Sequence, residues 1–314
     1  ENDGAWKIER IYQHDPDRPD FSSPLARRGV EAKPGDRLLA INGVALQGVT
    51  HPYELLKNQE GKQVLVRLES GGVARDVIVR PQGAQADTNL RYHEWEYTRR
   101  LETDRLSKGR FGYVHLRAMG PNDIAQWAEH YFPVFDREAL IVDVRHNNGG
   151  NIDSWILSKL LKKAWMYWQP RVGKTSWNMH YAFRGPMVVL VNERTASDGE
   201  AFAEGFRRLG LGKVIGTRTW GGEVWLSSSN RLADDGIATA AELGVFGPNN
   251  RNDQEWLVEG VGVIPDIVVD NLPHATFAGK DAQLEAAVRH LEEEVKKKAI
   301  AVPKAPAYPD KSLK

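Results

Sequence analysis

The sequence predicts a mixed α/β (α+β) fold, with a β-rich module over residues 1–84 and a domain of alternating strands and helices over 85–300. Trp6-Lys7-Ile8-Glu9-Arg10-Ile11 and Val64-Leu65-Val66-Arg67-Leu68 alternate apolar and polar residues, the period of a strand with one face buried. Ala139-Leu140-Ile141-Val142-Asp143-Val144 and Met187-Val188-Val189-Leu190-Val191 are almost continuously apolar, as strands of a parallel sheet covered on both faces are. Between those runs Ile152, Ile156, Leu157, Leu160 and Leu161 recur at helical spacing, so helices are expected to pack on the sheet.

In the first module, Pro34-Gly35-Asp36 sets a turn, Arg37 to Ile41 a strand and Asn42-Gly43 a tight hairpin turn. Val77-Ile78-Val79 follows a turn at Gly71-Gly72. Residues 81–110 form a connector, small and polar from Gln82 to Asn89, charged and compatible with helix from Glu94 to Arg105. Beyond it the patterns predict a strand over Phe111–Leu116, a helix over Pro121–Phe135, a helix over Glu200–Leu209, a short strand over Lys213–Gly216 and a closing helix over Ala282–Lys298. In the last, Glu292 to Glu294 stand four residues before Lys296 to Lys298, a spacing that supports a helix. Residues 301–314, with proline at 303, 306 and 309 and scattered lysines, predict a disordered tail.

Composition excludes several function classes. The 314 residues carry 42 basic and 42 acidic side chains, a balance unsuited to a large nucleic-acid footprint or a polybasic membrane surface. No apolar run is long enough to span a bilayer. There is no cysteine, hence no disulfide scaffold, thiol nucleophile or Cys-ligated metal. No metal-ligand cluster or nucleotide-phosphate motif stands out, so neither metal nor cofactor is expected. The opening Glu1-Asn2-Asp3-Gly4 has no leader character and suggests an internal start; a cytoplasmic location is expected, or a periplasmic one if a signal peptide lies upstream.

Ligands of open α/β sheets bind beyond the C-terminal strand ends. One apolar strand leads into Arg145-His146-Asn147-Asn148-Gly149-Gly150, whose paired glycines either make a simple turn or aim backbone N–H groups at a ligand. The other leads into Thr195-Ala196-Ser197-Asp198-Gly199-Glu200. Ser197 there is either an N-cap, with Glu200 completing a capping box, or a nucleophile at a helix N-terminus. Thr195 stands where a Gly-x-Ser-x-Gly elbow needs glycine, which disfavours an α/β-hydrolase.

Gly35-Asp36-Arg37-Leu38-Leu39-Ala40-Ile41-Asn42-Gly43, with Ser23-Pro24-Leu25-Ala26 before it, resembles a PDZ domain, implying a peptide-binding module or a β domain that only packs on a neighbour. Arg145 to Gly150, Ala196-Ser197-Asp198-Gly199, Ile215-Gly216-Thr217-Arg218-Thr219-Trp220-Gly221-Gly222 and Glu259-Gly260-Val261-Gly262-Val263-Ile264-Pro265-Asp266 occur in the order seen in the tail-specific serine peptidase family. The whole looks like its tricorn branch, a PDZ domain followed by a ClpP/crotonase-like α/β core.

That resemblance implies a serine-type endopeptidase acting on oligopeptides. Ser197 would be the nucleophile, the N–H groups of Gly150 and Asp198 the oxyanion hole, and Glu259 the carboxylate that orients the base through a second serine. The processing-protease branch uses a Ser–Lys dyad instead, but the matching position here is Gly222, which cannot take a proton. In the tricorn branch the base histidine comes from a segment preceding the PDZ domain, so this chain is expected to lack it and to be incomplete as an enzyme. His146, beside the glycine pair, is the nearest substitute in sequence; Lys213 is expected to be a solvated turn residue. The acidic specificity residue of the branch is matched by Trp168, which puts a preference for basic side chains in doubt; Asp153 and Glu223 are the residues that could compensate. The resemblance also implies a homo-oligomer, a hexamer in this branch. A non-enzymatic peptide-binding module on a pseudo-protease core, or an acyl-CoA enzyme on the crotonase-like fold, are the alternatives.

Overall fold

The tight turns of the first hundred residues make antiparallel neighbours of their strands. In the computed structural model, which describes residues 6–226, 230–249, 253–298, 300 and 303–309, the chain divides into two units, Glu1–Leu101 and Glu102–Lys314. The first holds an antiparallel sheet of β1 (Trp6–Lys7), β2 (Arg37–Ile41), β3 (Val44–Ala45), β4 (Val64–Ser70) and β5 (Val73–Val79), in the order β1-β2-β4-β5 with β3 paired to β2. Asn42 and Gly43 both have positive φ, 49° and 79°, as the predicted hairpin turn requires. Ile41, Val64, Val66, Leu68, Val77 and Val79 form the core of this unit. The strand predicted over Trp6–Ile11 shortens to β1, although Ile8 still exchanges backbone bonds with Asp36 and Gly35.

The predicted connector is a single helix, α1 (Ala84–Ser107), and the division between the units falls inside it rather than at residue 84. Its first half is anchored in the first unit. Glu94, buried, accepts from the Arg10 guanidinium and from the Gln13 N–H at 2.8 Å, and Arg100 pairs with Asp15 at 2.6 Å.

The second unit is built on a parallel sheet of β6 (Phe111–His115), β7 (Ala139–Asp143), β10 (Met187–Val191), β11 (Gly212–Gly216) and β16 (Ile267–Val268), in the order β16-β11-β10-β7-β6. The continuous apolar runs follow from cover on both faces. Leu140, Val142, Val189 and Val191 point to one side, against α2 (Asp123–Tyr131), α3 (Asp153–Leu160) and α4 (Asp198–Arg208) through Trp127, Ile156, Phe202 and Phe206. Ala139, Ile141, Val188 and Leu190 point to the other, against Leu284, Ala287, Val288 and Leu291 of α6 (Ala282–Lys297). The helix predicted over Pro121–Phe135 is the shorter α2, because Pro121 and Asn122 are spent in the entry turn and Phe132 ends it. Smaller elements decorate this frame: the hairpins β8 (Tyr167–Trp168) with β9 (Ser176–Trp177), β12 (Trp225–Leu226) with β13 (Ala241–Leu243), and β14 (Phe246–Pro248) with β15 (Gln254–Trp256), and the short helix α5 (Pro273–Phe277). The predicted tail falls partly outside the described residues; 303–309 form neither helix nor strand, and Tyr308 donates to the Gln169 carbonyl at 3.4 Å.

At the C-terminal edge of β7 lies a buried charge network. Arg145, 2 % exposed, donates to Asp143 at 2.6–3.0 Å and to both oxygens of Asp281 at 2.9 and 3.0 Å, while Tyr113 donates to Asp143 at 2.8 Å. Asp281 caps α6 by accepting from the Leu284 N–H at 3.0 Å, so one guanidinium ties that helix to the strand leading into the glycine pair. The Arg145 charge holds both carboxyls below the usual range against the burial that would raise them. Arg145→Met is therefore expected to cost about 3–5 kcal/mol in urea unfolding, because two carboxylates would stay buried without their cation; a loss under about 1 kcal/mol would show that the network is not what holds α6 in place.

Candidate active site

Val191 ends β10 and Asp198 starts α4, and Ser197 makes the turn between them with φ 51° and ψ −128°. An L-residue with a Cβ avoids this conformation, which costs about 1–3 kcal/mol and persists only where surrounding contacts impose it. The imposing group is Glu200, fully buried on the first turn of α4. One of its oxygens, Oε2, accepts from the Ser197 N–H at 3.1 Å and the Gly222 N–H at 3.0 Å; the other accepts from the Gly221 N–H at 2.7 Å and from the Thr219 hydroxyl. The carboxylate arm of the capping box and the strained serine are therefore parts of one device, and the two readings of Ser197 do not exclude each other.

The first glycine of the pair packs directly on this serine and the second on the Met119 backbone. A Cβ at Gly149 would meet Ser197 Cβ at 2.5 Å, and one at Gly150 would run into the Met119 carbonyl. Asn147, fully buried, braces the loop: its side chain donates to the Leu116 carbonyl at 2.8 Å and accepts from the Gly149 N–H at 2.8 Å, and its carbonyl accepts from the Ala196 N–H at 2.9 Å. Among the described residues neither the N–H of Gly150 nor that of Asp198 has a protein acceptor. Asp198 is also the first residue of α4, where the helix dipole favours negative charge.

Around the serine stand several carboxyl groups. The Asp198 side chain accepts from the Ile152 and Asp153 N–H groups at 2.8 and 3.0 Å, capping α3, and burial with the neighbouring Asp153 carboxyl pushes it up to about 7. Glu223, 5 % exposed, is pushed up to about 8 by burial and by Asp198, Glu200, Asp153 and Glu259; its Oε2 is buried without a hydrogen-bond partner. Glu259 is exposed, yet its Oε2 is fixed by the N–H groups of Glu223 and Val224, both at 2.8 Å. The Gly260 N–H donates to the Gly221 carbonyl at 2.9 Å, which joins this stretch to the one that Glu200 holds. Among the described residues no group of acidic and histidine side chains is arranged to hold a metal.

The structure thus brings Ser197, Gly150, Asp198 and, through residues 221–224, Glu259 into one cluster. Among the described residues Trp168 is not joined to it by any hydrogen bond or ring contact; it stands on the β8–β9 hairpin, 57 % exposed. His146 is turned to Asn192, which accepts from its N–H at 3.0 Å and lies 3.3 Å from its Nε2, and burial lowers the ring's pKa. His115 is buried in β6 with Nδ1 2.8 Å from the Asp143 carbonyl, its pKa depressed by burial to about 3. No histidine among the described residues hydrogen-bonds to Ser197. Lys213 lies in β11 and pairs with Asp266 at 3.2 Å. In the first unit, a cavity of about 780 Å³ is lined by Ser23, Pro24, Leu25, Trp6 and Tyr53, so the Ser-Pro-Leu segment does border a groove.

Sequence reasoning missed Glu200 as the hub, Thr219 as its partner and the burial of Glu223. The signal for the first was present as Ser-x-x-Glu, but the donors that make it a hub come from residues 219–222. Nothing local marks Glu223 as buried.

Residues 110–269 match the profile of peptidase family S41, and residues 1–83 that of the tricorn protease PDZ domain. Tricorn protease homolog 1 of Streptomyces coelicolor is 36 % identical over 288 residues, covering 91 % of this chain and 26 % of the relative. Tricorn protease of Thermoplasma acidophilum is 32 % identical over 303 residues, 96 % of this chain and 28 % of the relative. A crystal structure of the tricorn protease superimposes with a TM-score of 0.83 at 31 % identity, covering 93 % of this chain and 28 % of that one. The chain spans about a quarter of the length of these relatives.

Removing one carboxylate oxygen from the hub leaves buried N–H donors short of an acceptor, so Glu200→Gln is expected to destabilise the second unit by about 1–3 kcal/mol in chemical denaturation. The raised carboxyls set a pH slope of the opposite sign to an ordinary salt bridge. Glu223 and Asp198 ionise near 4.5 and 3.8 when unfolded but near 8 and 7 when folded, so the folded chain holds more protons between those values. Stability should fall as pH rises from about 5 to 8.5, and Glu223→Gln should flatten that fall and raise Tm at pH 8. Melting curves of the two proteins across that range check this; parallel slopes would contradict it.

Proposed function

Because the chain belongs to peptidase family S41, we propose that it is the nucleophile-bearing part of a serine peptidase that hydrolyses oligopeptides, with Ser197 attacking the scissile carbonyl. The observation that carries this reading is the strained serine at the N-terminus of α4, beside two backbone N–H groups with no acceptor among the described residues. A plain N-cap also leaves its first helical N–H open, but it needs neither the strain at Ser197 nor the open Gly150 N–H in the neighbouring loop. In the proposed reaction Ser197 Oγ bonds to the peptide carbon as a base takes its proton. The carbonyl oxygen becomes an oxyanion held by the N–H groups of Gly150 and Asp198, and the C–N bond breaks as the base returns the proton to the amine. Water then hydrolyses the acyl-serine by the same route.

The base we infer is a histidine contributed from outside this chain, since the histidines near the sheet end are engaged by Asp143 and Asn192. Glu259, fixed by two N–H groups with its second oxygen free of those bonds, suits the role of orienting that base and stabilising its cation. The working form is proposed to be a homo-oligomer, a hexamer by family likeness; a monomeric mass in sedimentation of the whole protein would count against this.

In the whole protein, Ser197→Ala is expected to lower peptide hydrolysis by more than about 10³-fold. As a cap alone its loss would cost ~1 kcal/mol and leave turnover intact. Ser197→Gly, which also relieves the positive φ, should be equally inactive yet melt no lower than the Ala variant. Glu259→Gln should be severe but not total. Near-normal turnover by Ser197→Ala would sink the assignment and leave a capping residue on a binding module.

A further inference from the structure

At the opposite edge of the parallel sheet, where β10 and β11 begin at Met187 and Gly212, lies a cavity of about 870 Å³ that the proposed chemistry does not use. Its volume is that of a small-molecule site. Phe183, Met187 and Leu211 give it an apolar floor. Six cationic side chains, Lys162, Lys163, Arg184, Arg207, Lys213 and Lys298, line its walls, with Glu294 the single acid among the lining residues. The chain as a whole is charge-balanced, 42 against 42, so this excess is local.

Four of the six charges are not cancelled in place among the described residues. Arg207 and Lys213 have acidic partners, Glu204 and Asp266. Glu294 is itself paired with Lys297 at 3.0 Å. Lys162 reaches only the neutral His180 carbonyl, at 3.4 Å. Lys163, Arg184 and Lys298 have no ion-pair partner within 4 Å among the described residues. Arg184 lies over the Trp177 indole, its carbon 3.7 Å from the ring centre, which fixes the guanidinium; its Nη1 is buried with no hydrogen-bond partner. Cations gathered in a concave site repel one another, a cost that a bound anion removes.

We propose that this cavity binds a small polyanion, a molecule carrying two or more phosphate or carboxylate groups. Lys163, Arg184 and Lys298 neutralise its charges, and Phe183, Met187 and Leu211 take any apolar body. Several cations around one space call for more than one negative charge, and the apolar floor favours an organic ligand over a bare ion.

The test is calorimetry and thermal melting of the whole chain with sodium pyrophosphate and with sodium citrate, each against sodium chloride at equal ionic strength. At least one polyanion should raise Tm beyond the chloride control, since a ligand of the folded state stabilises it. Arg184→Gln with Lys163→Gln should weaken that affinity by roughly tenfold or more. A stronger response to pyrophosphate assigns phosphate groups, and a stronger response to citrate assigns carboxylates. If the double variant does not melt cooperatively, Lys298→Gln at the exposed end of α6 carries the test and should weaken binding several-fold. A Tm rise matched by chloride, or affinity unchanged in the variants, overturns the proposal. Ser197 lies at the other sheet edge, so this outcome is independent of the hydrolytic reading.

Discussion

The site depends on one buried carboxylate. Glu200 accepts hydrogen bonds from Ser197, Thr219, Gly221 and Gly222, and so fastens the turn after β10 to a segment some twenty residues later. Filling the lone pairs of a buried carboxylate lowers the cost of burying it, and filling them here turns the Ser197 N–H inward. That turn produces the positive φ of Ser197. The free energy that imposes strain on the serine thus comes from satisfying the charge; Gly149 has no room for a side chain because the serine is pressed against it, and Gly150 has none because the Met119 carbonyl is.

The parallel sheet determines where this happens. All of its strands point the same way, so the loops after β7 and β10 emerge side by side, and Arg145 locks that edge by pairing Asp143 with the cap of α6. Two kinds of charge then share the edge. Arg145 and its carboxylates are matched and buried. Asp153, Asp198, Glu223 and Glu259 form an acidic group with no ion-pair partner among the described residues, and two of them are held near or above neutrality in pKa. Such a site suits a chemistry in which a cation, an imidazolium or a charged substrate group, arrives during turnover. The opposite edge has the reverse character, with cations over an apolar floor.

Much of this was legible in the residue order. Continuous apolar runs identified β7 and β10, and helical spacing identified α3 and α6, because burial on both faces and on one stripe leave different local periods. Asn42-Gly43 announced its turn because few residues tolerate two positive φ angles in succession. Motif order also pointed to Ser197, Gly150, Asp198 and Glu259 as one constellation, and their backbone segments are bonded together. Trp168, singled out by the same motif order, stands on the β8–β9 hairpin with its side chain more than half exposed.

The sequence by itself determined the two modules, the buried strands and the identity of the turn that carries the serine, since these rest on neighbours within a few residues. Only the tertiary structure decided that Glu200 is a hub rather than a cap, that Glu223 is buried and held near 8, and that α1 is one helix whose greater part belongs to the first unit. In each case the deciding partners are distant in the chain: Gly221 and Gly222 for Glu200, Asp153 and Asp198 for Glu223, Arg10 and Gln13 for Glu94 in α1. Local patterns record what a residue prefers, whereas charge burial and hydrogen-bond satisfaction are settled by what the fold brings alongside it.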